Sequence, residues 1–146
     1  MSISCEHSVD VKASVEKAFA LLDDLPQTPK WLEPCTSIQK LSPGPNAVGD
    51  KLKYDYKQGG RAGTMDGEIL TRMPNREISC RYFDSMMDVV VDLRVSPTPE
   101  GSRLTHIITI TPKTFMAKMM TPLIRGALPK QTREAMESLK AMLESG

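Results

Sequence analysis

Two histidines are the residues best suited to proton chemistry in this chain of 146 residues. His7 falls in the series Ile3, Cys5, His7, Val9, Val11, and His106 in the series Leu104, His106, Ile108, Ile110. Each imidazole thus takes one place on an otherwise apolar face of period two. An imidazole titrates near neutrality and can serve as acid, base or hydrogen-bonding group. A histidine on such a face more often packs as a core residue. His106 is therefore the single candidate for acid–base catalysis, and no catalytic constellation surrounds it in sequence. Tyr54, Tyr56 and Tyr82 add three hydroxyls at positions predicted to point inward. A buried phenol needs a partner, which backbone, water or the polar end of a ligand can supply.

Other chemistries are absent by motif. There is no Ser/His/Asp arrangement, HExxH, P-loop or GxGxxG. Gly59-Gly60-Arg61-Ala62-Gly63 is a hairpin rather than a phosphate cradle, because no helix follows it. Cys5, Cys35 and Cys80 have no CxxC spacing and cannot all pair, which suits a reducing compartment and argues against zinc. No metal or cofactor is expected. Ten methionines stand against seven aromatic residues. Met65, Met73, Met87, Met116, Met119 and Met120 are flexible side chains that either fill a core or line a cavity.

The elements that position these residues follow from periodicity. Residues 2–11 alternate as a strand; Ser14 then caps a helix carrying Val15, Ala18, Phe19 and Leu22. A second helical turn is expected around Trp31 and Leu32, between Pro26 and Pro34. Six strands are predicted next: 37–41, 50–57, 62–73, 77–84, 86–95 and 103–111. Their inward faces include Tyr54 and Tyr56; Met65, Gly67 and Ile69; Ile78, Cys80 and Tyr82; and Met87, Val89 and Val91. The 62–73 pattern puts Arg72 on the outer face. Gln58-Gly59-Gly60 marks a hairpin, and the short connections between later strands imply an antiparallel meander.

Residues 113–146 form the dominant helical stretch, with a stripe of Phe115, Met119, Leu123, Leu128, Ala135, Leu139 and Met142. Lys130 with Glu134 and Arg133 with Glu137 can pair on its polar side. Pro122, Gly126 and Pro129 predict a kink or break in the half before residue 130.

The length fits one domain, residues 1–146, with a real core. With 19 basic and 18 acidic residues, a phosphate-backbone partner is disfavoured, so no nucleic acid is expected. No apolar run approaches the roughly 18 residues a membrane span needs, and the N-terminus has no basic-then-apolar leader pattern. A cytoplasmic location is the expectation.

The order and local signatures resemble the START-like helix-grip superfamily (SRPBCC), which includes polyketide cyclase/dehydrase-like proteins. The resemblance is carried by His7-Ser-Val-Asp-Val-Lys-Ala-Ser-Val-Glu-Lys-Ala-Phe19, Trp31-Leu-Glu-Pro34, Gly49-Asp-Lys-Leu52, Met65-Asp-Gly-Glu-Ile69, Gly101-Ser-Arg-Leu-Thr105 and Leu139-Lys-Ala-Met-Leu-Glu144. It covers essentially the whole chain, and the order of the motifs is its specific part. It implies an α+β fold: a curved seven-stranded antiparallel sheet around a long C-terminal helix, with two short helices between the first and second strands. The first and last strands would be antiparallel neighbours, bringing His7 near His106.

The resemblance also implies a cavity between sheet and helix for a small apolar or amphipathic molecule, lipid- or polyketide-like. The expected lining is Trp31, Tyr54, Tyr56, Met65, Tyr82, Met87, Val89, His106, Phe115, Met119 and Leu123. Two alternatives remain open. One is a cyclase or dehydratase using an acid–base residue in that cavity; the other is an interaction module with a vestigial cavity.

Overall fold

Alternation of apolar and polar residues produces seven strands that pair into one antiparallel sheet. The computed structural model describes residues 2–58 and 60–145; Gly59, part of the expected hairpin signal, lies outside the described residues. The strands are β1 (Ile3–Val11), β2 (Cys35–Lys40), β3 (Lys51–Gln58), β4 (Arg61–Met73), β5 (Glu77–Phe83), β6 (Met87–Thr98) and β7 (Gly101–Pro112). Their order is β1-β7-β6-β5-β4-β3-β2. The chain lays down β2 to β7 as a meander, and β1 closes the far edge beside β7. His7 stands directly opposite His106 in that pairing.

Helix α1 (Val15–Asp23) starts where Ser14 accepts a hydrogen bond from Lys17 N at 3.1 Å. It buries Ala18, Phe19 and Leu22. The second helical piece is a 3-10 turn over Leu25–Lys30, so it ends just before Trp31 rather than centring on it. Trp31 follows it and is buried.

The strand β4 pattern holds as far as Ile69 and then slips. A bulge between Ile69 and Thr71 inverts the alternation, so Arg72 pairs with Ile78 and turns to the inner side. There its guanidinium makes a two-pronged contact with Asp23 at 2.9 and 2.8 Å and lies 5.7 Å from the Phe19 ring centroid. Burial opposes ionisation of Asp23, but hydrogen bonds from Arg72 and Asn46 hold its carboxyl below the usual range. The expectation that Arg72 faces outward is thereby corrected. One inserted residue exchanges the two faces of a strand, and alternation alone does not reveal it.

The C-terminal stretch is two helices, α2 (Phe115–Met119) and α3 (Thr121–Glu144). The break falls at Met120. Pro122 then occupies the first turn of α3, where a missing N–H costs nothing. Pro129 is accommodated inside α3 without ending it. Pro129 and Arg125 both lie on the exposed side, where water can solvate the carbonyl that a proline leaves unpaired.

Helix α3 packs on β1 and, less closely, on β7. Leu128, Thr132, Ala135, Met136, Leu139 and Leu143 form its buried stripe. Its C-terminal end is tied to the β1–α1 turn: Lys12 N donates to Glu144 Oε2 at 2.8 Å, Lys140 Nζ to Asp10 O at 2.9 Å, and Lys17 Nζ to Leu143 O at 3.0 Å. Helix α3 lies over the β1 edge of the curved sheet and α1 packs against β5, β6 and β7, and between them part of the concave face is left uncovered.

Candidate functional site

That uncovered face lines a cavity of about 540 Å³. Its floor is built in layers by the strand register. Tyr82, Val89 and Ile110 are cross-strand neighbours; the next layer is Cys80, Val91 and Ile108, and the one beyond it Ile78, Leu93 and His106. All nine line the cavity. Period-two alternation is the reason: each strand presents every second residue to the same face. Leu25, Thr28, Trp31 and Leu32 form one wall, and Ile124, Ala127, Leu128 and Gln131 of α3 form another. Gln58 on β3 donates to Gln131 on α3 at 2.9 Å and bridges the gap between sheet and helix.

Tyr54, Tyr56 and Tyr82 form an aromatic cluster, with ring centroids 4.5 Å apart for Tyr54–Tyr82 and 6.4 Å for Tyr54–Tyr56. Two glycines make room for it. A Cβ on Gly67 would come 2.6 Å from Tyr82 Cδ1, and one on Gly63 2.5 Å from the Tyr56 hydroxyl. Tyr56 and Tyr82 each lie across the backbone of a glycine partner on β4, which no side chain obstructs. Burial raises the phenols of Tyr54 and Tyr82 well above their usual range. Burial likewise pushes the Cys35 thiol up to about 11 and that of Cys80 up to about 12. These groups are neutral hydrogen-bonding groups at physiological pH, and neither thiol is a ready nucleophile.

The polar interest concentrates at His106. Its side chain is 1% exposed, and neither ring nitrogen has a hydrogen-bond partner among the described residues. Trp31 meets it edge to face, with centroids 6.3 Å apart at 90°, and Trp31 Nε1 is also buried without a partner. Burial first, and the neighbouring His7 second, lower the His106 pKa to about 4. The ring is then neutral at pH 7, offering one donor and one acceptor. Buried polar groups are normally paired, so Trp31 and His106, both unpaired and both among the lining residues, stand out in an otherwise apolar part of the cavity.

Of the residues expected to line the cavity, Trp31, Tyr54, Tyr56, Met65, Tyr82, Met87, Val89, His106 and Leu123 do so. Phe115 and Met119 do not. Thr114 caps α2 by accepting from Ala117 N at 3.1 Å, and the break at Met120 sets that short helix with only Ala117 buried. Phe115, Met116 and Met119 are left on the surface, 76%, 71% and 67% exposed. The stripe counted through residue 120 as one helix is therefore not one face. Met73 is also exposed, whereas Met86 and Met120 join Met65 and Met87 in the lining. Gly63, Gly67, Thr28 and Gln131 were not expected as site residues. Gly67 carried a signal, since a glycine at an inward strand position marks a close approach; Thr28 carried none.

The family model described as polyketide cyclase/dehydrase and lipid transport matches residues 2–144. The chain belongs to that family. Solved structures agree in fold. Zhui aromatase/cyclase from a Streptomyces species superposes with a TM-score of 0.79 at 13% identity, covering 99% of this chain and 94% of that one. A START superfamily protein from Mycobacterium smegmatis gives 0.76 at 15% identity, covering 99% and 97%. The di-domain aromatase/cyclase StfQ from the steffimycin biosynthetic pathway gives 0.78 at 17%; the match covers 99% of this chain but 52% of that one. At these identities the likeness is one of fold: the family's helix-grip α+β architecture. A search of curated proteins finds no match to this sequence. No described helix is long and apolar enough to cross a membrane, and no group of three potential ligands that could hold a metal occurs among the described residues.

Proposed function

We propose that this protein binds a small, mainly apolar molecule bearing an uncharged polar group, with the apolar body among Tyr82, Val89, Val91 and Ile108 and the polar group at His106 and Trp31. The observation that carries the reading is the 540 Å³ cavity with a mainly apolar lining that includes His106 and Trp31, two polar side chains without a hydrogen-bond partner among the described residues. The volume lies within the about 300–1,000 Å³ usual for small-molecule sites. An ionised group would find no buried countercharge beside His106. A hydroxyl or carbonyl needs none. Lipid-like and polyketide-like molecules both meet that description, and the family's description supports either.

The test is native mass spectrometry of protein purified from its own host, followed by titration of the released compound into ligand-free protein. The expected result is a stoichiometric adduct whose affinity falls about tenfold in His106→Leu, the cost of one buried hydrogen bond. Protein that carries no adduct and takes up no apolar fluorescent probe would sink the reading.

A catalytic reading draws on the same cavity, because three tyrosines and a histidine are among its lining residues. It would be a cyclisation or dehydration with His106 as the proton acceptor. Against it, a ring held near pKa 4 is a weak base at neutral pH. Incubating the co-purified compound with fresh protein separates the two: turnover that His106→Gln abolishes favours catalysis, and unchanged compound favours binding.

A further inference from the structure

We propose that the corner formed by α2 and the first turn of α3 is a membrane-docking surface, which inserts Phe115, Met116, Met119 and Leu123 among the headgroups of an anionic bilayer. These four side chains are 67–76% exposed and fall within nine residues of chain. Single exposed apolar residues are ordinary, but a cluster of large ones is not.

Charge selects the occupant. Residues 113–129 contain Lys113, Lys118 and Arg125 and no acidic residue, although the whole chain is near neutral at +1; Lys130 and Arg133, just beyond, pair with Glu134 and Glu137. Lys118 and Arg125 flank the apolar cluster, are exposed, and pair with no carboxylate among the described residues. Asp84 is the only carboxylate among the described cavity-lining residues; it accepts from Met86 N and Met87 N, both at 2.8 Å. Apolar side chains fringed by lysine and arginine, whose stems lie along the acyl region while their charges reach phosphate, make an interfacial pattern. A second copy is a poorer occupant. A two-fold contact through this corner would bring Lys118 and Arg125 against their own counterparts.

Position gives the surface a use. Leu123 belongs both to the exposed cluster and to the cavity lining, and Met120 and Ile124 line the cavity beside it. Leu123 therefore joins the exposed corner to the cavity lining. A bilayer docked there would offer an apolar route between acyl chains and the site. This use rests on the ligand-binding reading; docking itself does not, and is measured without ligand.

Vesicle co-sedimentation tests it, using the full chain with phosphatidylcholine vesicles and with mixed phosphatidylcholine–phosphatidylglycerol vesicles. The expected result is partition into the mixed vesicles, falling with added salt. Phe115→Ser with Met119→Ser should lower the partition coefficient by about tenfold or more, from the lost apolar insertion. Lys118→Gln with Arg125→Gln should lower it about 20-fold on anionic vesicles, and little on neutral ones. Leu41→Ser with Val48→Ser is the control. Those exposed residues lie in the β2–β3 connection, at the end of the sheet opposite Pro112, and should change nothing. Phe115→Trp supplies a second readout, since brominated lipids should quench it on docking. Three outcomes would overturn the proposal: no partition into either vesicle, an equal loss in the control, or a Phe115-dependent dimer or acidic protein partner in place of vesicle binding.

Discussion

The two ends of the C-terminal helical region face the same protein and do opposite things. From Leu128 onward, α3 buries an unbroken stripe against β1 and is stitched to the β1–α1 turn by Lys12, Lys17 and Lys140. Before Leu128 the helices bury little: Leu123 is 73% exposed, and α2 buries only Ala117. The difference teaches where a cavity comes from in this architecture. The sheet offers a continuous apolar concave face, and the helix covers only the part of it that its C-terminal half reaches.

Leu139→Ala should break the packed half most severely. The side chain is fully buried, so its loss should cost about 3 kcal/mol in denaturant unfolding, from lost burial and the cavity left behind. A loss near that of a surface substitution would mean that α3 does not anchor the fold.

A pH titration of stability sharpens the contrast from the cavity side. His106 is held near 4 when folded against an ordinary 6.5 when unfolded. As pH falls from 6.5 towards 4, the unfolded chain takes up a proton that the folded chain refuses, so stability falls through that window. The loss approaches about 3 kcal/mol and levels off below it. In His106→Leu this slope should vanish, and the ligand-free variant should match or exceed the parent in stability at pH 7, since two unpaired buried nitrogens are removed. Asp23, whose pKa is lowered, should lose its contribution only at lower pH, below 3.8. A slope that persists in His106→Leu would assign the window to another group.

Gly67→Ala tests the aromatic wall. The new methyl would collide with the Tyr82 ring and should cost about 1–2 kcal/mol, with altered probe binding in the cavity. Met119→Ala is the smallest effect: below about 0.5 kcal/mol in stability and none on uptake of a soluble ligand, because the side chain touches neither core nor cavity. A large change in either would mean that α2 folds back over the mouth.

Much of this architecture was legible because strand alternation is a local property. Ile78, Cys80 and Tyr82, or Met87, Val89 and Val91, declare their common face wherever the strand is placed. The opposition of His7 and His106 followed from strand order as the family resemblance implied it. Residue chemistry likewise marked Ser14 as a cap and Lys130–Glu134 and Arg133–Glu137 as helix pairs, which approach to 3.9 and 3.8 Å. Three features were decided only by the assembled fold. The bulge after Ile69 turned Arg72 inward to Asp23, an event that costs one residue and leaves no periodic trace. The break at Met120 separated Phe115 and Met119 from the stripe they continue in sequence. The third is the division of inward residues into packed and lining. Leu104 and His106 alternate on one strand, yet only His106 meets the cavity, because that depends on where α3 lies over the sheet and where it stops.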